Sequence, residues 1–130
     1  DVIFQITYNS GCITSLYTDT YTYTGGAHGQ TIRTSDTWDF SSGEKLRLTA
    51  FYPLTPSSLH QLQVSMESQI ARRLKENPGT YFDDYKTLLH NTFRINNFYL
   101  EPGKLVIYFQ QYDIAPYSTG LPEFYFPINI

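Results

Sequence analysis

The sequence is poor in cysteine, in charge and in long apolar runs, and each shortage excludes a class of protein. A single cysteine, Cys12, cannot form an internal disulfide, so cysteine usage leaves the compartment open. We expect this thiol to be a small core residue. The apolar runs are far shorter than the ~20 residues of a membrane helix. Nine basic against 12 acidic residues, without a basic stripe, exclude nucleic acid as an expected partner.

The chain also lacks the motifs of common enzymes and cofactor sites. Gly25, Gly26 and Gly29 follow a strand pattern, but neither a helical pattern nor a Lys-Ser or Lys-Thr pair comes after them. A P-loop and a dinucleotide fingerprint are therefore excluded. The three histidines are scattered without a metal-ligand spacing, and no GxSxG nucleophile elbow is present. These absences predict a non-catalytic protein with no metal and no cofactor.

What the chain does have is aromatic residues in alternating patterns. Tyrosine alone accounts for 12 of 130 residues, a length that suits one domain over 1–130. The stretches "VIFQITY", "CITSLYTDTYTYT" and "TIRTSDTWDF" alternate with period two, which predicts strands separated by turns. The stretches "FRINNFYLE" and "KLVIYFQQYD" flank a Pro-Gly turn and predict a second hairpin, and "LPEFYFPINI" suits an edge strand.

One segment changes to a helical period. Over 55–79 apolar residues recur every three or four positions, from Leu59 to Leu74. Thr55 or Ser57 can cap the start of this helix, and Asn77-Pro78-Gly79 ends it. A shorter helix is expected over 84–91. Strands, then helices, then strands indicate an α+β fold, in which an antiparallel β-sheet has one long helix and one short helix packed on one face.

Two loops are the candidate functional elements. The glycines after Tyr23 fit a tight turn between long strands, because glycine accepts positive φ. The segment "QQYDIAPYSTGLPEF", 110–124, is rich in proline and tyrosine and carries little charge. Such stiff aromatic loops bind proteins at little entropic cost, although a purely structural loop capping the sheet fits the same pattern. We expect His28 to lie beside Pro116 and Tyr117.

Several motifs together resemble a known family. They are "YTGGAHG" (23–29), "WDFSSGEKLRL" (38–48), "NNFYLEPGKLVIYFQQYDIAPYSTG" (96–120) and "LPEFYFPI" (121–128). Together they look like the extracytoplasmic domain of unknown function shared by RsiV-like anti-sigma factors and some peptidoglycan deacetylases. The resemblance implies an α+β fold outside the cytoplasmic membrane. For the anti-sigma members it implies lysozyme binding, and in the deacetylases the domain accompanies a separate catalytic module.

The resemblance also supplies a candidate binding surface and a set of partners. It consists of nine residues from two motifs: Tyr23, Thr24, Gly25, Gly26, His28, Ala115, Pro116, Tyr117 and Gly120. The expected partner is a protein such as lysozyme, and the alternative is cell-wall glycan stacked on the tyrosines. Family members carry a further N-terminal segment, which we expect this chain to lack, and anti-sigma factors add a membrane helix. An open sheet edge could then pair with a second copy into a homodimer.

Overall fold

The computed structural model describes residues 1–23 and 25–130 and contains two antiparallel sheets and two helices. The first sheet has the order β1-β2-β3-β4 and the second β5-β6-β7. The α+β class, with one long and one short helix, is confirmed; the division into two sheets was not predicted. The elements are β1 (Val2–Ser10), β2 (Ile13–Thr22), β3 (Gln30–Asp39), β4 (Glu44–Lys45), α1 (Pro56–Glu76), α2 (Tyr85–Thr92), β5 (Phe98–Glu101), β6 (Lys104–Tyr108) and β7 (Glu123–Pro127).

The first hairpin joins β1 and β2 through a two-residue turn of Gly11 and Cys12. Ser10 pairs with Ile13, and Gly11 has the positive φ of 60° that such a turn requires. Cys12 therefore lies at the tip of the hairpin and is exposed. The prediction that its thiol is a core residue was wrong, because the turn takes Cys12 out of the strand that its apolar neighbours form.

The second hairpin joins β2 and β3 in an uninterrupted register from Ile13 opposite Asp39 to Thr22 opposite Gln30. Its loop contains Gly25 and Gly26, whose φ angles are 97° and 94°. These angles confirm the prediction of a strand that ends in a glycine turn.

The long helix α1 begins and ends as its sequence predicts. Thr55 caps the start: its Oγ1 accepts from the Ser58 amide at 3.1 Å, while Ser58 Oγ accepts from the Thr55 amide at 2.8 Å. This reciprocal arrangement is a capping box. Asn77 ends the helix. Leu59, placed on the buried stripe by its spacing, is instead exposed at the rim of a groove between α1 and α2.

The core lies between the helices and the second sheet. One face of β5, β6 and β7 packs against buried residues of both helices, among them Leu62, Ile70 and Leu89. The opposite face carries Tyr99, Val106 and Tyr108 and faces the first sheet through Tyr17, which lies on β2. The helices therefore cover one face of the second sheet, as predicted. No helix in residues 1–23 and 25–130 has the length and apolarity needed to cross a membrane.

Candidate aromatic binding site between two loops

The loop after β6 is attached to the first sheet by two glutamine side chains. The Arg33 amide donates to Gln110 Oε1 at 3.0 Å, and Gln110 Nε2 donates to the Arg33 carbonyl at 2.7 Å. Gln111 Oε1 accepts from the Thr31 amide at 3.0 Å. Because this part of β3 extends beyond its short neighbour β4, the side-chain amides occupy the position of an adjacent strand.

The same loop is held on its other side by the segment that follows α1. The Phe82 amide donates to the Ile114 carbonyl at 3.1 Å, and Thr119 Oγ1 donates to the Thr80 carbonyl at 2.6 Å. With Gln110 bonded to β3, the loop is anchored at several separate points. This anchoring fixes its backbone and supports the prediction of a stiff loop.

Three aromatic side chains meet where this loop approaches the glycine turn. The rings of His28 and Tyr117 stack, with centroids 4.1 Å apart and planes 18° apart. The Tyr112 ring packs against Tyr117 with a centroid distance of 5.9 Å. The predicted proximity of His28 and Tyr117 is confirmed. We call His28, Tyr112 and Tyr117 the three-ring surface.

Tyr112 was missed by the sequence reasoning and has an unusual backbone. Its φ is +69°, a region in which a bulky side chain costs ~1–3 kcal/mol, and its side chain is 55% exposed. Strain of this kind persists only where the surrounding structure enforces it. Its place in an aromatic loop was visible in the sequence, whereas its positive φ was not.

The predicted residues of the glycine turn have different environments. Tyr23 is exposed, and its hydroxyl donates to the Gly26 carbonyl at 3.0 Å, which closes the turn. Gly25 and Gly26 provide the positive φ angles reported above. Thr24 lies outside the described residues.

The predicted residues of the second loop also differ in exposure and in structural role. Ala115 is buried in the core, so its side chain fixes the loop and does not face solvent. Pro116 caps a short 3₁₀ turn over 117–119, and Gly120, with φ of 79°, ends it. Tyr117, which is partly exposed, therefore projects from a turn that is closed at both ends.

A buried arginine connects the two sheets beside this site. Arg33 binds Asp19 through two hydrogen bonds, of 2.7 and 2.9 Å, and binds Glu123 through a third of 2.7 Å. Its guanidinium lies 3.8 Å from the centroid of the Tyr17 ring. Burial alone would lower the pKa of Arg33, but the hydrogen bond and charge of Asp19, with the charge of Glu123, raise it above its ordinary value. Arg33 is therefore permanently charged and paired with both carboxylates.

Two tyrosines complete this polar cluster. The Tyr99 hydroxyl donates to Glu123, and burial together with this hydrogen bond raises the pKa of Tyr99 well above its ordinary value. The Tyr108 hydroxyl and Ser35 Oγ are 2.8 Å apart. Among the described residues, no buried side-chain nitrogen or oxygen lacks a hydrogen-bond partner. The Arg33 cluster thus acts as a structural connection between the two sheets.

Two acidic residues near this site, Glu123 and Asp113, are held by hydrogen bonds within the fold. Glu123 is bound by Arg33 and Tyr99, and Asp113 accepts from the Gln110 amide at 3.0 Å. Burial raises the pKa of Asp113. Over the described ranges, no three His, Cys, Asp or Glu side chains are grouped so that they could hold a metal ion.

The Arg33 cluster had a signal in the sequence that was not used. In the observed register Asp19 lies directly opposite Arg33, and Thr22 lies opposite Gln30. A hairpin centred on Gly26 requires this register. Centring the turn on its glycines would therefore have predicted the ion pair between β2 and β3.

Comparison with known proteins agrees with the fold. A family model described as a protein of unknown function, DUF3298, matches residues 54–129, and one described as Deacetylase PdaC matches residues 1–31. No curated protein matched the chain.

Two solved structures are similar over 97% of this chain. One is a DUF3298 family protein from Pseudomonas aeruginosa PAO1, with 21% identity, a TM-score of 0.67 and 56% of its own chain covered. The other is a member of the same family from Bacteroides fragilis NCTC 9343, with 20% identity, a TM-score of 0.68 and 49% covered. This chain thus spans about half the length of either structure. Because the DUF3298 model matches more than half of the sequence, the chain belongs to the DUF3298 family.

Proposed function

We propose that this domain is a non-catalytic binding module that acts outside the cytoplasmic membrane and recognises a protein ligand through the three-ring surface. One observation carries the proposal. The His28 ring stacks on the Tyr117 ring, so the two loops that the family resemblance singles out form a single surface. A ligand can therefore contact both loops at once.

The physical character of this surface suits protein recognition. Tyrosine supplies ring area and a hydroxyl while losing little conformational entropy on binding. The anchoring of the loop through Gln110 and Thr119 lowers the ordering cost further. Tyr112 is strained and exposed, and strained exposed residues occur mainly at functional sites. These features support a preorganised aromatic anchor.

The expected ligand is a lysozyme-like protein. This expectation rests on the resemblance of the two loops to those of RsiV-like anti-sigma factors. Calorimetric titration of the domain with hen-type lysozyme tests it directly.

The decisive variant is Tyr117→Ala, measured beside a matched control. Truncating an aromatic anchor costs ~2 kcal/mol or more, which weakens binding about 30-fold. Phe40→Ala is the control, because Phe40 is an exposed aromatic residue at the other end of β3, ~30 Å from the glycine turn. Binding lost in Tyr117→Ala and kept in Phe40→Ala supports the proposal. Binding that is absent from the unmodified domain, or lost equally in both variants, contradicts it.

Tyr112→Asn provides a second test with opposite effects on binding and stability. Asparagine tolerates positive φ better than tyrosine, so this variant should be at least as stable as the parent, by up to ~1 kcal/mol. It should nevertheless bind more weakly, because a ring of the surface is removed. Urea denaturation and the same titration measure the two effects. A less stable variant with unchanged affinity would show that Tyr112 serves the fold alone.

Cell-wall glycan is the second candidate ligand. The observation that favours it is the match of residues 1–31 to the family described as Deacetylase PdaC. Exposed tyrosine rings are also suitable platforms for sugar rings. Saturable shifts of the Tyr112 and Tyr117 resonances with chito-oligosaccharides, without any heat of binding from lysozyme, would favour the glycan over the protein ligand.

A further inference from the structure

Side-chain amides pair with the backbone at sheet edges of this protein where no strand is adjacent. Gln110 bonds both the amide and the carbonyl of Arg33 on β3, at 3.0 and 2.7 Å. Gln69 does the same on β7: its Oε1 accepts from the Tyr125 amide at 3.2 Å, and its Nε2 donates to the Tyr125 carbonyl at 3.1 Å. One group that offers an acceptor and a donor therefore satisfies one edge residue.

Ser35 is an exception on the same edge of β3. Along an antiparallel strand, alternate residues turn their backbone groups to the same side. Arg33 bonds Gln110 at the outer edge, and the Thr37 carbonyl accepts from the Leu46 amide at 2.7 Å. Ser35 lies midway between them, so its amide and carbonyl point to this edge too. Neither group has a hydrogen-bond partner among the described residues.

Ser35 lines a cavity at this edge. The cavity has a volume of about 430 Å³, which is in the range of small-ligand sites. Its walls come from β3, from the segment that begins at β4 and from the loop before β5, so they all lie within 35–47 and 95–98. The apolar part of the lining includes Leu46, Ile95 and Phe98. The cavity therefore combines an apolar wall with free backbone groups.

The charged residues that line the cavity are both basic. They are Lys45 and Arg47, and the lining contains no acidic residue. Lys45 is paired with Asp36 at 2.6 Å. Arg47 is exposed and makes no hydrogen bond or ion pair within the described part of the chain. A guanidinium binds a carboxylate through two parallel hydrogen bonds, so Arg47 is available to such an anion.

The free part of this edge is short. The backbone from Arg33 to Thr37 covers about 13 Å of strand, and Gln110 and Leu46 occupy its two ends. A strand that ran through the gap would have to displace both of them. The end of a peptide chain fits this space better than its middle does. The two cations favour a carboxyl end, because an amino end would bring a third positive charge.

We propose that this cavity, the Ser35 pocket, binds the carboxyl-terminal residue of a peptide. In an extended residue the N–H and the C=O point to the same side. The terminal N–H donates to the Ser35 carbonyl, one carboxylate oxygen accepts from the Ser35 amide, and Arg47 binds the carboxylate. Capture of a terminal carboxylate by backbone amides is an established mode of peptide recognition. Ile95 and Phe98 suit a small apolar side chain on the bound residue.

The test uses N-acetyl-L-alanine, which has one amide N–H, one carboxylate and a methyl side chain. In a titration followed by NMR it should shift the Ser35 amide resonance saturably, with a dissociation constant in the millimolar range. Two matched probes each remove one contact. O-acetyl-L-lactate replaces the N–H by an ester oxygen and should bind about fivefold more weakly. N-acetyl-L-alaninamide replaces the carboxylate by a neutral amide and should bind about tenfold more weakly.

Arg47→Gln is the decisive variant, because it keeps an exposed polar side chain and removes the charge. It should weaken N-acetyl-L-alanine binding about tenfold. The control is Arg72→Gln, an exposed arginine on α1 that does not line the pocket, and it should bind as the parent does.

Three results would each overturn the proposal. The first is the absence of a saturable shift of the Ser35 amide up to ~50 mM ligand. The second is equal affinity for N-acetyl-L-alanine and its amide, and the third is equal weakening by Arg47→Gln and Arg72→Gln. The three-ring surface shares no residue with the Ser35 pocket, so this proposal and the lysozyme titration can fail independently.

Discussion

Replacing Arg33 by methionine measures how much the buried ion cluster contributes to holding the two sheets together. The substitution keeps an unbranched apolar side chain of similar length and removes the charge and every donor. Asp19 and Glu123 then lose the partner that binds each of them at 2.7 Å. Removing one member of a buried ion pair costs ~3–5 kcal/mol, chiefly because the remaining charge is left desolvated.

The exposure of the two carboxylates sets the value within this range. Their side chains are 22% and 26% exposed, against 9% for Arg33, so water can partly solvate them once the guanidinium is gone. We therefore expect the lower end, about 3 kcal/mol. For a chain of this size that corresponds to a fall in melting temperature on the order of 10 °C.

The chain contains a matched control for this experiment. Lys45 and Asp36 form an ion pair of 2.6 Å whose side chains are 55% and 40% exposed. The distance in this pair is similar to the distances in the Arg33 pairs, but its side chains are far more exposed. Lys45→Met should therefore lower the free energy of unfolding by only about 0.5 kcal/mol. Urea denaturation at constant m-value gives both numbers. A cost below ~1 kcal/mol for Arg33→Met, or equal costs for the two variants, would refute the argument from burial.

Three further predictions follow from individual contacts. A Cβ on Gly29 would overlap the ring and hydroxyl of Tyr21, so Gly29→Ala should destabilise the parent but be nearly neutral in a Tyr21→Ala background, as a double-mutant cycle in urea would show. Because the pKa of Tyr99 is raised in the folded state, its contribution to stability is complete below pH ~10 and is lost as the pH rises above that value, where Tyr99 of the unfolded chain ionises first. The free energy of unfolding should fall by ~1.4 kcal/mol per pH unit in that range. Tyr99→Phe should flatten this fall in pH-dependent denaturation. Gln69→Leu should cost ~1–3 kcal/mol of stability in thermal denaturation, because it leaves the backbone amide and carbonyl of Tyr125 unpaired. An unchanged melting temperature would contradict the role of Gln69 at the edge of β7.

The elements of this fold could be predicted because each has a local signal. Thr55 and Pro56 mark the start of α1 and Asn77 marks its end, since helix caps depend on neighbours in sequence. The hairpins follow from alternation and glycine turns in the same way. The position of Cys12 was predicted wrongly because the alternating pattern placed it at the start of the second strand, whereas it is the second residue of a two-residue turn.

The arrangement of the two sheets had no such signal. Ser15, Ser35 and Gln110 join strands that are far apart in the sequence, and their residue types are common in exposed positions. Only their contacts in the folded protein reveal their role. The three-ring surface was partly predictable, because the family resemblance indicated His28 and Tyr117, while Tyr112 was recognised only through its positive φ.

The Arg33 cluster and the three-ring surface depend on the same part of β3. Asp19 holds the Arg33 side chain, while the Arg33 amide and carbonyl hold Gln110 at the start of the aromatic loop. A change that releases Arg33 should therefore loosen the loop that carries Tyr117, without touching any ring. On this argument Arg33→Met should weaken ligand binding as well as stability, whereas Lys45→Met should leave binding unchanged and cost only about 0.5 kcal/mol of stability. Titrating both variants would show whether the rigidity of the site originates in the connection between the sheets.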